Sequence, residues 1–341
     1  MLLSTGQSIQ VVIAVIGLIL NVIVGLVVSV GLKLKSMDLK LILIIAILDS
    51  YYYIHNIIRM ILIGVEFLKV DIIQPNPSPH WWCPFDATID MALYLTCIEL
   101  VAILSFMRYL SICRKKNLSN STWYSIAAVS FSTNFILSLI YIGNGYYKWS
   151  TTELVCITAD NPDITNVGFV YYYYFWFSSY TVRSLVSLIV IAFSYFNMIS
   201  VYYERLSPTG DIMMKTGIAS NVESIQSHVS TQYLNNSMTY DFQSKQITKQ
   251  KWLTVFKLIS AILAYSVCLL PDIILSIIRL TPNGTKNAHI TIEYLMTSNL
   301  LLSSYGLVNS LFVISSHDPS RKYLFFQLQC LYENVKACFG F

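Results

Sequence analysis

Seven stretches of this chain, near residues 9–32, 39–65, 87–112, 121–144, 168–202, 252–279 and 290–315, are each long and apolar enough to cross a lipid bilayer. A spanning helix needs roughly 20 mainly apolar residues to bridge the hydrocarbon layer. No water is available there to the backbone, so each block must satisfy its own N–H and C=O groups, and it does so as a helix. The predicted fold class is an all-α membrane protein, a seven-transmembrane helix bundle. Block 121–144 is interrupted by polar residues, with Ser130, Ser132, Thr133 and Asn134 among its apolar ones. The composition of the 341 residues agrees: 55% are hydrophobic, 12% are charged and the mean hydropathy is +0.59. So little charged surface would not keep a chain of this size dissolved in water.

The cations set the expected orientation. With the N-terminus outside, the segments facing inward hold sixteen of the 22 lysines and arginines, among them Arg108, Arg114, Lys115 and Lys116. The outer loops hold Lys69, Lys148, Arg279 and Lys286, and Arg59 and Arg183 lie within spans. This positive-inside bias predicts a multi-pass plasma-membrane protein with its C-terminus in the cytoplasm. The first block has no cationic start and no small-residue cleavage site, so it reads as a retained helix. The net charge of +4 belongs to the inner face and gives no reason to invoke nucleic acid. The expected layout is a short extracellular N-terminus at 1–8, a membrane domain at 9–315 and a tail at 316–341. Residues 206–250, rich in Ser, Thr, Asn and Gln, read as a mobile inner loop. In the tail, Asp318 and Pro319 can start an amphipathic helix on the inner membrane surface. There Cys330 or Cys338 is either a palmitoylation site or a free thiol.

Polar residues at membrane depth are costly and so carry information. Asn21 interrupts the first span and Asp49 the second, 28 residues later. Cys83 opens the third and Arg108 closes it, 25 residues on, followed by Tyr109. Cys156 lies in the outer loop after the fourth span, Pro271 breaks the sixth, and Asn309 sits low in the seventh. In order and spacing these residues resemble the rhodopsin-like (class A) G-protein-coupled receptors over essentially residues 9–333.

The resemblance implies a receptor, a chemoreceptor-type signal transducer that passes ligand binding outside to a heterotrimeric G protein inside. Its partners would be that G protein, an extracellular small-molecule or peptide ligand and the lipid membrane. It assigns Arg108 and Tyr109 to G-protein coupling and Asn21, Asp49, Pro271 and Asn309 to the activation core. It also implies a Cys83–Cys156 disulfide, which the oxidising outer face permits. Asp90 lies 18 residues before Arg108, where the family's amine receptors bind an ammonium group; Tyr94 and Asp272 would complete a ligand site. Internal pairing of Asp90 with Arg59, and of Asp272 with Arg183 or Arg279, is the alternative. Asp49 is the family's sodium position, although Cys97 is a poor sodium ligand. Asn283 begins a glycosylation sequon in an outer loop. The chain departs from the family at Met107, where an acid is usual, and at Leu269, where a tryptophan is usual. Its seventh-span motif lacks the usual proline and tyrosine. Without an acid at Met107, the expected partner of Arg108 is a hydroxyl or backbone carbonyl of the sixth span.

Other classes fare less well. A retinal-binding pump needs a lysine in the seventh helix, and residues 290–315 contain none, so no retinal is expected. No metalloprotease or histidine-rich motif suggests an enzyme, and His55 alone reads as a packed or pocket residue. A transporter or channel stays open as the alternative, because Arg59, Asp90, Glu99, Arg183 and Asp272 all lie in spans; Glu99 and Arg183 could equally be structural partners.

Overall fold

The structure, a computed structural model, describes residues 5–34, 36–65, 82–142, 147–149, 156–158, 167–204, 233–280, 292–316, 325–326 and 329. Within these, the side chains of 83–84, 141–142, 147–149, 156–158, 167–173, 176–177, 233–251, 279, 292 and 316 lie outside the description. The helices are α1 (Thr5–Leu26, continued by a π-helical turn Val27–Gly31), α2 (Met37–Gly64), α3 (Trp82–Cys113) and α4 (Asn120–Ile142). After a two-stranded antiparallel ribbon, β1 (Tyr147–Trp149) and β2 (Cys156–Thr158), come α5 (Val167–Glu204), α6 (Tyr233–Leu280), α7 (Ile292–Ser303) and α8 (Tyr305–Ser316). Seven spans are long and apolar enough to cross a membrane, the last formed by α7 and α8 together.

The first helix shows how the sequence sorts itself in lipid. Its buried stripe is Gln7, Gln10, Ala14, Gly17, Asn21 and Val24, at helical three- and four-residue spacing. Its exposed face is Ile9, Val12, Val15, Ile16, Ile19 and Val22. Small and polar residues face the neighbouring helices and apolar ones face outward, the inverse of a soluble helix. Gly17 is required by this packing. A Cβ there would lie 2.4 Å from the ring of Tyr53, which α2 buries completely against α1.

The helices close a ring, α1–α2–α3–α5–α6–α7/α8–α1, with α4 resting mainly on α3. The α3 span is 67% buried and the α4 span 17%, so α3 is the central post and α4 an outrigger. Ser119 caps α4, its Oγ accepting from the Thr122 backbone N–H at 3.2 Å. At the end of α3 the Lys116 N–H donates to the Leu110 carbonyl at 3.0 Å while Lys115 takes φ 52°, a left-handed C-terminal cap made without glycine. Pro271 lies inside α6 and removes one backbone donor there.

Three expectations change. The chain is helical from Thr5, within the expected extracellular segment. The α6 helix begins at Tyr233, so residues 233–250 are helix rather than loop. Asp86, one residue before the expected span 87–112, is a fully buried residue of α3. The Cys83 and Cys156 side chains, Asn283, residues 205–232, Cys330 and Cys338 lie outside the description. Of the tail, Phe325 and Phe326 are helical and exposed.

Candidate functional site

The intramembrane charges are gathered into two polar clusters. Toward the Trp82 end, Arg59 of α2 is fully buried and its Nη1 donates to both oxygens of Asp86, at 2.8 and 2.9 Å, and to Asp90 Oδ2 at 2.5 Å. Its Nη2 bonds Asn56 Oδ1, one turn back on the same helix. His55 Nε2 lies 2.8 Å from Asp86 Oδ1, with its ring stacked on Trp82 and edge-on to Phe85. The expected Arg59–Asp90 pairing is therefore present. The Asp90 carboxylate, expected as an ammonium ligand, is already engaged by a guanidinium.

Deeper in the bundle, Glu99 of α3 receives Arg183 Nε at 2.7 Å and Nη2 at 2.9 Å, a two-pronged pair reaching across to α5. From α4, Asn134 Nδ2 donates to the same carboxylate at 3.1 Å and Ser130 Oγ also bonds it. Asn134 further donates to Thr96 Oγ1 at 3.1 Å. One carboxylate thus ties three helices together.

Between the two ends runs a train of buried tyrosines. Tyr180 of α5 donates to Asp272 Oδ2 of α6 at 2.6 Å. Its ring stacks on Tyr94 of α3, whose ring meets Tyr305 of α8, and Tyr305 packs on Tyr265 of α6 at 5.5 Å. Tyr265 donates to Asn309 Oδ1 at 3.2 Å, and Asn309 Nδ2 lies 3.4 Å from Asp49 Oδ2. Gly306 makes room for this junction, since a Cβ there would lie 2.9 Å from the Asp49 carboxyl carbon. Cys97 of α3 is buried, and a thiol is a poor ligand for sodium, which prefers oxygen. Asn21 donates instead to the Gly17 carbonyl of its own helix, 2.9 Å away.

At the far end, beside Arg108, the ring of Tyr195 of α5 packs on Phe312 of α8. Tyr109 is buried against Phe106 and Phe193 and accepts from Arg114 Nε at 2.9 Å. That bond holds the Arg114 guanidinium further above its ordinary pKa. Beside Arg108 opens a cavity of about 580 Å³ lined by Asp38, Met107, Lys116, Trp123, Tyr202 and Leu258 among others.

The sequence had singled out Arg59, Asp90, Glu99, Arg183, Asp272, Asp49, Asn309 and Arg108. It missed Asp86 and Asn56 as partners of Arg59, Ser130 and Asn134 as donors to Glu99, and Tyr180, Tyr265 and Tyr305. Helical spacing carries the missing signal. His55, Asn56 and Arg59 fall three and four apart, as do Asp86 and Asp90, and Ser130 and Asn134.

No protein-family model matches the chain, and no curated protein matches its sequence. The fold is rhodopsin-like. Among solved structures, the crystal structure of squid rhodopsin matches with a TM-score of 0.61 at 13% identity, covering 98% of this chain and 86% of that one.

Proposed function

We propose that the protein is a multi-pass plasma-membrane receptor that couples to a heterotrimeric G protein at the Arg108 end, which the cation distribution assigns to the cytoplasm. The observation that carries this reading is the cavity beside Arg108, set within a rhodopsin-like fold. It lies among α2, α3, α4, α5, α6 and α8, so displacement of α6 would widen it. Pro271, one helical hydrogen bond short, is the place where α6 can bend. Ligand and G protein would favour the same displaced state from opposite faces.

The ligand enters from the Trp82 end. With Asp90 held by Arg59, the expectation of a cationic ligand rests on Asp272, which Tyr180 orients, and on the ring and hydroxyl of Tyr94. The Cys83–Cys156 disulfide remains part of this reading; β2, which carries Cys156, lies against α3, which carries Cys83.

The test is nucleotide exchange on a panel of purified G proteins, using receptor reconstituted in lipid discs. Arg108→Ala should reduce exchange strongly while surface expression stays near wild type. Exchange unchanged by Arg108→Ala removes Arg108 from the coupling surface. Ligand-dependent current or uptake without a G protein points instead to a transporter or channel.

A further inference from the structure

The His55 cluster offers chemistry that neither helix packing nor signalling requires. We propose that His55, Asp86 and Asp90 form a binding site for a divalent transition-metal ion of the zinc type, bridging α2 and α3. One donor atom from each residue lies within 4.8 Å of the other two. The His55 and Asp86 side chains are 6% and 0% exposed, and Asp90 Oδ1 is itself buried and has no hydrogen-bond partner. That oxygen lies 4.0 Å from His55 Nε2, whereas Asp86 Oδ1 lies 2.8 Å from it. Tetrahedral zinc with bonds of about 2.1 Å sets its ligands about 3.4 Å apart, between those two distances. Shifts of about 0.6 Å, one apart and one together, bring both into range.

The surroundings suit a ligand shell. Arg59 bonds both oxygens of Asp86 and only Oδ2 of Asp90, leaving Asp90 Oδ1 turned toward the imidazole. Outer partners of this kind orient ligating carboxylates. Trp82 and Phe85 fix the imidazole plane. One imidazole nitrogen with two carboxylate oxygens favours zinc and its transition-metal neighbours over magnesium or calcium, which prefer all-oxygen shells. Binding displaces any proton on His55 Nε2, and a fourth position stays open to water. The nearby guanidinium opposes a second positive charge, so the ion acts as a modulator at micromolar concentration rather than as a permanent structural metal. The partly exposed edge of Asp90 is its route of entry.

The experiment uses the full-length protein in lipid discs, with zinc chloride as the probe, read by titration calorimetry and thermal unfolding. Zinc should bind and raise the unfolding temperature; magnesium and calcium at equal concentration should not. His55→Gln and Asp90→Asn should each weaken zinc binding at least about tenfold. Zinc without effect on the wild type, or an effect undiminished in both variants, overturns the site. Should neither variant fold, X-ray absorption at the zinc edge of the loaded wild type decides. A shell of one imidazole nitrogen plus oxygens supports the proposal; sulfur or a second imidazole places the ion elsewhere and overturns it.

Discussion

Glu99 and Arg183 allow the sharpest test of what holds the middle of the bundle together. Replacing Glu99 by Gln keeps the shape and removes the charge, leaving Arg183 without its anion. The Arg183 Nη1 atom already has no hydrogen-bond partner, so the guanidinium has little else to fall back on. Breaking a buried pair from one side costs about 3–5 kcal/mol. The side chains are 21% and 13% exposed, which puts this pair at the lower end, about 3 kcal/mol, or roughly a hundredfold in the unfolding equilibrium. Arg183→Gln should be milder, about 1–2 kcal/mol, because Glu99 keeps two neutral donors, Ser130 and Asn134. The double variant, with no stranded charge, should be more stable than Glu99→Gln alone. Reversible unfolding of the three purified variants in mixed micelles measures the whole cycle. Costs that simply add in the double variant would show that the two groups do not interact, and the argument for a three-helix tie would fail.

Gly17→Ala places a methyl group inside the van der Waals surface of the Tyr53 ring and should destabilise by about 1–3 kcal/mol. Adding Tyr53→Leu should recover part of that loss, and a Gly17→Ala protein that melts like wild type would contradict the close approach of α1 and α2. Lys115→Gly relieves a left-handed residue at the end of α3 and should stabilise by about 1 kcal/mol, seen as a higher unfolding temperature; a fall would mean that the lysine side chain contributes more than its backbone costs. Cys83→Ser and Cys156→Ser should each lower surface expression, and the double variant should match the worse single; additive losses would show that the two cysteines act independently.

Span length made the fold readable, because a bilayer fixes how many apolar residues each helix needs and leaves few other solutions. The ends of the elements were less readable because that constraint stops at the membrane surface. Residues 233–250 carry no apolar stripe to announce a helix, yet α6 runs through them. The β1–β2 ribbon has only three residues to a strand, too short to leave a period-two pattern. Likewise Asp86 lies in the first turns of α3, where apolar density is still low, and hydropathy alone set it outside.

The site was readable as a list of costly residues and not as a set of pairs. Each intramembrane charge announces that it needs a partner, but the partner depends on how two helices are rotated, which neither sequence fixes alone. Arg59–Asp90 and Glu99–Arg183 could be named because few charges compete for them. The neutral donors could not, because a serine or asparagine in a span satisfies itself on its own backbone as easily as on a neighbour, as Asn21 does with Gly17. The fourth span is the instructive case. Its polar interruptions argued against it, but Ser130 and Asn134 are spaced four apart and form the face that α4 turns toward Glu99. Asn134 is fully buried while Val129, Phe131, Phe135 and Ile136 around it are exposed. Read with helical periodicity, the residues that weakened the hydropathy signal are the ones that say which side of α4 faces protein, and that a carboxylate waits there.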